Sequence, residues 1–170
     1  MNIKFYTKKG SRHRYYGVCE LPKQRRTILL KDIDFKDKPY CVDFPELRFE
    51  ISFHAGICRL EPTTNFIYTN LAVTTLERYV LFMPNISSIG DVCLRMPLAA
   101  MCPKQLCSNA IDAFWACPFD DTGYSRQERT VFHMCLQHQK VFRRKLNDNI
   151  KCRRLPVSGN EISLEDLLKI

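Results

Sequence analysis

PNISSIGDVCL, Pro84 to Leu94, lies where a strand-like apolar run, ERYVLFM from Glu77 to Met83, meets a cluster of turn-forming residues. Proline removes a ladder donor, so a last strand is expected to run into Pro84 and an irregular segment to begin at Asn85. Ser87, Ser88 and Gly90 favour a turn, and Gly90 is free to take a positive φ. Such a loop would bring Cys93 back towards Asn85. An asparagine amide offers two N–H donors. Aimed at a developing oxyanion, one such donor contributes on the order of 3 kcal/mol to transition-state stabilisation. A thiol with an amide donor and no nearby histidine suits transfer from an already activated thioester better than peptide hydrolysis. The same residues allow a plainer reading, in which Cys93, beside Val92 and Leu94, is a small buried hydrophobe.

Working outward, the first half of the chain reads as strands. NIKFYTKK can pair with YYGVCEL across a turn from Gly10 to Arg14. Leu47, Phe49, Ile51 and Phe53 alternate in LRFEISF, the period of a half-buried strand. His54-Ala55-Gly56 is expected to turn the chain into ICRLE, and Pro62-Thr63-Thr64-Asn65 to turn it again into FIYTNLAV. The second half reads as helices. Ser108 or Asn109 is the expected cap of a short helix carrying Ile111, Phe114 and Trp115 on one face, with Pro118 as its stop. Ser125 to Glu128 has capping-box form. Val131, Cys135, His138, Phe142 and Leu146 follow at helical spacing, which predicts a long amphipathic helix. Ser163 is the expected cap of a last short helix, LEDLLK. Strands followed by helices predict an α+β domain with an antiparallel meander. At 170 residues, with no linker or repeat, residues 1–170 are expected to form a single domain.

Hydrophobic residues make up 45% of the chain and charged ones 26%, the balance of an ordinary globular domain. No apolar run approaches the roughly 20 residues needed to span a bilayer, and the basic N-terminus lacks the apolar stretch of a secretory signal. The expected location is therefore cytoplasmic, with no membrane partner. Charge is uneven: residues 1–31 carry a net +8, residues 32–124 a net −5, and residues 125–170 a net +5. Basic ends suit an acidic partner, either nucleic acid or an acidic protein surface, or they are simply solvated faces.

The nine cysteines are odd in number, which in a reducing compartment points to buried thiols rather than a disulfide framework. Cys102, Cys107 and Cys117, with Cys135 and His133 or His138, compose a candidate zinc set, although no Cys-x-x-Cys pair is present. Independent thiols are the competing reading, and His138 on an apolar helix face reads as a hydrogen-bonded core residue. Trp115, Phe114 and Phe119 read as a core cluster, with an aromatic patch for a partner as the alternative. KVFRRKLNDNIKCRR, Lys140 to Arg154, concentrates seven basic residues, which suit either a nucleic-acid contact or the C-terminal dipole of a helix.

PNISSIGDVCL also resembles the active-site signature of ubiquitin-conjugating enzymes, a His-Pro-Asn tripeptide followed by a turn, a glycine and an Ile/Val-Cys-Leu ending. Pro84, Asn85, Gly90, Val92, Cys93 and Leu94 match in type and spacing. The chain is similar in particular to a prokaryotic conjugating-enzyme-like family carried by plasmids and phages, protein B of the PRTRC cassette. FPELRF, from Phe44 to Phe49, and the aromatic AIDAFWACPF downstream match that family's pattern, so the resemblance covers about residues 44–120. The basic ends lie outside it. The resemblance implies a ubiquitin-conjugating-enzyme-like α+β fold, with strands, an active-site loop and flanking helices. It implies that Cys93 carries a ubiquitin-like modifier as a thioester and that Asn85 supports the oxyanion. The implied partners are the modifier and an activating enzyme of ThiF type; no cofactor and no metal are expected from the sequence. Met83 stands where the eukaryotic signature has histidine, Arg95 and Met96 depart from its usual continuation, and no residue matches its acidic gate. A non-catalytic binding module on the same fold, and a basic nucleic-acid-associated accessory protein of a mobile element, are the alternatives.

Overall fold

Alternation of apolar and polar residues along the N-terminal half produces a seven-stranded sheet whose spatial order departs from chain order. The computed structural model describes residues 1–11, 13–31, 37–57, 64–81, 83, 86–87, 89–92, 94, 98–117, 157 and 159–170. Strand β1 (Ile3–Thr7) pairs antiparallel with β2 (Arg14–Leu21) across the expected turn, where Gly10 has φ 79°. A separate two-stranded ribbon follows, β3 (Gln24–Lys31) with β4 (Asp37–Phe44). The chain then returns as β5 (Leu47–Ile57) beside β2, and β6 (Thr64–Thr75) pairs with β5. Two-residue strands β7 (Asp91–Val92) and β8 (Ala99–Ala100) pair with β6. Helix α1 (Pro103–Ala116) comes next. Near the C-terminus β9 (Glu161–Ile162) adds to the free edge of β1 and leads into the short helix α2 (Leu164–Leu168). The sheet order is β7-β6-β5-β2-β1-β9, with β8 also on β6.

Directly opposed residues of paired strands share a face. Phe5, Gly17, Ile51, Leu71 and Val92 form one such row across five strands. Helix α1 lies on this face, and it does so because Gly17 has no side chain. A Cβ at Gly17 would collide with the Cys107 sulfur, which occupies that space. The close approach seats Leu106, Cys107, Ala110, Ile111 and Phe114 in the core. The Phe114 ring meets Phe49 edge-on at 5.3 Å, and Phe53 is in ring contact with Phe5, Tyr15 and Phe66. The β3–β4 ribbon closes the end of this layer. Its Phe44 meets Trp115 at 5.0 Å, and the Arg26 guanidinium lies 4.8 Å from the centre of the Trp115 ring.

On the opposite face, Arg48 donates from Nε to Glu50 and from a terminal nitrogen to Glu20, both at 3.0 Å. Glu50 is buried, so this guanidinium holds a carboxylate that has lost most of its water.

The α+β class and the predominantly antiparallel sheet agree with expectation, and Ser163 caps the last helix by accepting a hydrogen bond from the Asp166 amide at 3.0 Å. Four local expectations are corrected. His54, Ala55 and Gly56 do not turn; they continue β5 opposite Ile67, Phe66 and Asn65, past an irregularity between Ser52 and Phe53. Among the described residues ERYVLFM is not a regular strand, because Arg78, at φ 67°, turns the chain, and Val80 meets β6 only as an isolated bridge to Thr74. Helix α1 starts at Pro103 rather than at Ser108 or Asn109. Proline needs no amide partner in a first turn, and the apolar face extends upstream through Leu106 and Cys107. Strand β9 also interrupts the strands-then-helices order. Pro62, Thr63, Pro118, Phe119 and the segment from Ser125 to Leu146, including His138, lie outside the described residues. No helix among the described residues is long and apolar enough to cross a membrane.

The Gly17–Cys107 contact makes a measurable prediction. Gly17→Ala should cost about 1–3 kcal/mol by overpacking. Cys107→Ala should remove much of that cost, so a double-mutant cycle by urea denaturation should give a coupling of about 1 kcal/mol or more.

Candidate functional site

The outer edge of β6 is where the candidate loop originates. After the turn at Leu76 to Arg78, the chain begins to pair along that edge, with Val80 opposite Thr74. It then leaves the edge and returns, with Asp91 opposite Ala72 and Val92 opposite Leu71. Farther along, Ala99 and Ala100 pair with Ile67 and Phe66. The described residues of PNISSIGDVCL before Asp91 therefore lie in a break within an edge strand, and Asp91–Val92 resumes the pairing.

The described residues of the loop form a small closed unit. Ile86 and Val92 make an antiparallel bridge. Within it, the Ser87 amide donates to the Asp91 carbonyl and the Gly90 amide to the Ser87 carbonyl, each at 2.8 Å. The Ser87 hydroxyl oxygen accepts from the Asp91 amide at 3.1 Å and from the Ile89 amide at 3.4 Å. Gly90 takes φ 83°, the positive value its place in the sequence predicts. Two bonds fasten the unit to β6: the Val73 amide donates to the Gly90 carbonyl at 2.8 Å, and the Asn70 side-chain amide donates to the Asp91 carboxylate at 2.7 Å. Asp91 is thereby committed to holding the loop. Asn70 is a positioning residue that the local sequence does not reveal, because it lies 21 positions upstream and meets Asp91 only through strand pairing.

Met83, the departure from the conjugating-enzyme pattern, is 1% exposed and belongs to the core. Its carbonyl accepts from the Ile86 amide at 3.3 Å, so at this position an apolar anchor holds the loop entrance. On the exit side, the Leu94 amide donates to the Val92 carbonyl at 3.1 Å, and Leu94 packs against the core. Asn85 and Cys93 themselves lie outside the described residues, as do Pro84, Ser88, Arg95 and Met96.

The other thiols separate by environment. Cys19 and Cys107 are buried, and Cys41 is exposed. Burial pushes the Cys107 thiol up to about 12, with Cys19 and Cys102 adding smaller upward effects. Burial also raises the Cys19 thiol. Cys41 accepts a hydrogen bond from Arg25 Nε at 2.9 Å on the outside of the β3–β4 ribbon.

The zinc set is not assembled among the described residues. Cys102 and Cys117 cap opposite ends of α1, about 22 Å apart at 1.5 Å per residue, and cannot share one ion. No group of three or more His, Cys, Asp or Glu side chains among the described residues is placed to hold a metal. Cys135, His133, His138 and the basic stretch from Lys140 to Arg154 lie outside them.

Comparison of the chain with protein-family models, with curated proteins and with solved structures returns no match.

Two measurements check this geometry. Gly90→Ala should destabilise by about 1–2 kcal/mol because an L side chain resists positive φ. Gly90→Asn should cost less, and exchange of the Val73 amide proton should speed up in the alanine variant. Alkylation of the native protein at pH 8, mapped by mass spectrometry, should modify Cys41 while sparing Cys19 and Cys107 until denaturant is added.

Proposed function

We propose that this chain is a conjugating-enzyme-like protein that accepts a ubiquitin-like modifier on Cys93 and passes it to an amine, and that its sheet and helices are a version of the ubiquitin-conjugating fold. The observation that carries the reading is the Ile86–Val92 bridge. Asn85 and Cys93 are the next residues outward in sequence on its two arms. The bridge closes the turn formed by Ser87 to Asp91, the element that the signature calls for between its asparagine and its cysteine. Support also comes from the position of the loop in a broken edge strand, where an incoming carbonyl would not have to displace a complete ladder.

The chemistry then follows from the two side chains. The Cys93 thiolate attacks the thioester carbonyl that joins the modifier to an activating enzyme. The carbonyl oxygen becomes an oxyanion, the activating enzyme's thiolate leaves, and a new thioester forms on Cys93. In the second step an amine attacks that carbonyl, Cys93 leaves as a thiolate, an amide bond forms, and the nitrogen gives up its proton. The Asn85 amide donates to the oxyanion of both tetrahedral intermediates. The activating enzyme is of ThiF type, and the setting is the cytoplasm of a host carrying a plasmid or phage.

Incubation with the activating enzyme, modifier and ATP tests the assignment. The wild-type chain should form an adduct that thiol reductant removes, Cys93→Ala should form none, and Cys93→Ser should form an ester that withstands reductant. Asn85→Ala should slow transfer to an amine by about 10²- to 10³-fold. An adduct of undiminished yield on Cys93→Ala would overturn the site. A wild-type chain that binds the modifier without any adduct would make the protein a binding module.

A further inference from the structure

We propose that the open end of the sheet face opposite α1 is a platform for single-stranded nucleic acid, with Tyr6 and Tyr16 as base-stacking residues and Lys4, Lys8, Lys9 and Arg14 as phosphate contacts. Side chains alternate along a strand. Gly17 faces α1 through its contact with Cys107, so Tyr16 and Val18, its neighbours on β2, face the other way. Tyr6 is directly opposite Tyr16, and the row continues through Ser52 and Asn70. Both tyrosines are partly exposed, whereas Val18, Glu50 and Ala72 in the next row are buried. The accessible part of this face is therefore its end near the β1–β2 turn.

That end is basic. Lys4 and Arg14 are exposed on the same face as the tyrosines, and Arg14 stands opposite His54. The turn folds back through a bond from the Lys8 amide to the Arg14 carbonyl at 2.9 Å, which gathers Lys8, Lys9, His13 and Arg14 at one corner. The His13 carbonyl in turn accepts from the Ala55 amide, tying this corner to β5. Among the described residues no carboxylate pairs with Lys4, Lys8, Lys9 or Arg14, whereas Arg48 and Arg25 do have acidic partners. Glu161, opposite Tyr6 on β9, borders the patch and opposes an anionic ligand.

Two adjacent aromatic side chains on a sheet, flanked by unpaired cations, match single-stranded nucleic acid. Every base has a stacking face, and the backbone supplies one negative charge per nucleotide. An acidic protein would use the cations but would not need the paired rings. Duplex DNA would present its bases edge-on in a groove, out of reach of a flat aromatic row.

The test is fluorescence anisotropy of a 5′-fluorescein dT20 oligonucleotide with the full chain across a salt series. The expected result is binding that weakens as salt rises, with a logarithmic slope reduced by about 0.7 for each phosphate contact removed in Lys8→Ala or Arg14→Ala. Tyr6→Leu and Tyr16→Leu should each weaken binding roughly tenfold, Glu161→Gln should tighten it, and Lys104→Ala on α1 should leave it unchanged. Circular dichroism checks that the leucine variants are folded. Ultraviolet crosslinking of the same oligonucleotide to the wild-type chain needs no variant, and should mark the peptides carrying Tyr6 or Tyr16. Absence of binding at low salt, crosslinks confined to other peptides, or competition by polyglutamate as effective as by unlabelled dT20 would each overturn the proposal.

Discussion

Strand β6 is paired on both of its edges, and the second edge is where the architecture acquires its distinctive feature. Its inner edge carries a long ladder with β5, broken only by the irregularity between Ser52 and Phe53. Among the described residues its outer edge meets the chain at Val80, at β7 and at β8. Between the first and second meetings the backbone leaves the sheet and closes a turn on itself. This excursion begins and ends on one strand, so the described residues on its two sides share β6 as their support. The bonds from Val73 to Gly90 and from Asn70 to Asp91 extend that support into the turn. A turn held in this way has little left to order, which would keep the entropic cost of binding small for any ligand it meets.

The helix face of the sheet reinforces the same arrangement. Val92 continues the row that runs from Phe5 through Gly17, Ile51 and Leu71. The row lies on the face that α1 covers, and its member at Gly17 lets the helix descend. Ile86, Met83 and Leu81 are buried in the same core. The loop is thus anchored by hydrophobic burial on one side and by backbone hydrogen bonds on the other. The opposite sheet face is divided: one part encloses the Arg48–Glu50 pair, and the other leaves Tyr6 and Tyr16 partly exposed beside the exposed Lys4 and Arg14. The loop at the edge and the open end of the far face draw on different residues, so the two proposals stand or fall separately.

Local sequence showed some features clearly because they depend on neighbouring residues. The alternation of Leu47, Phe49, Ile51 and Phe53 is a property of one strand, and all four are buried. Ser163 caps α2 through a contact three residues away, and the requirement of Gly90 for positive φ follows from the turn around it. Other features were hidden because distant residues decide them. His54 to Gly56 has turn-forming composition, yet pairing with β6 pulls it straight. ERYVLFM has strand composition, yet the turn at Arg78 reduces the pairing of Val80 with Thr74 to an isolated bridge. Helix α1 has no side-chain cap at Cys102 and no acidic residue in its first turn, so the usual start signals are missing and packing sets its beginning.

By itself, the sequence determined the α+β class, the hairpin of β1 and β2, the cap of the last helix and the turn chemistry of PNISSIGDVCL. Each of these is governed by side-chain period or by backbone preference within a few residues. Only the tertiary structure decided that the loop interrupts an edge strand, that Asn70 secures it through Asp91, that Met83 serves as a core anchor, and that Tyr6 and Tyr16 stand side by side. Those outcomes depend on register between strands far apart in the chain, and register is set by the burial of the whole face against α1.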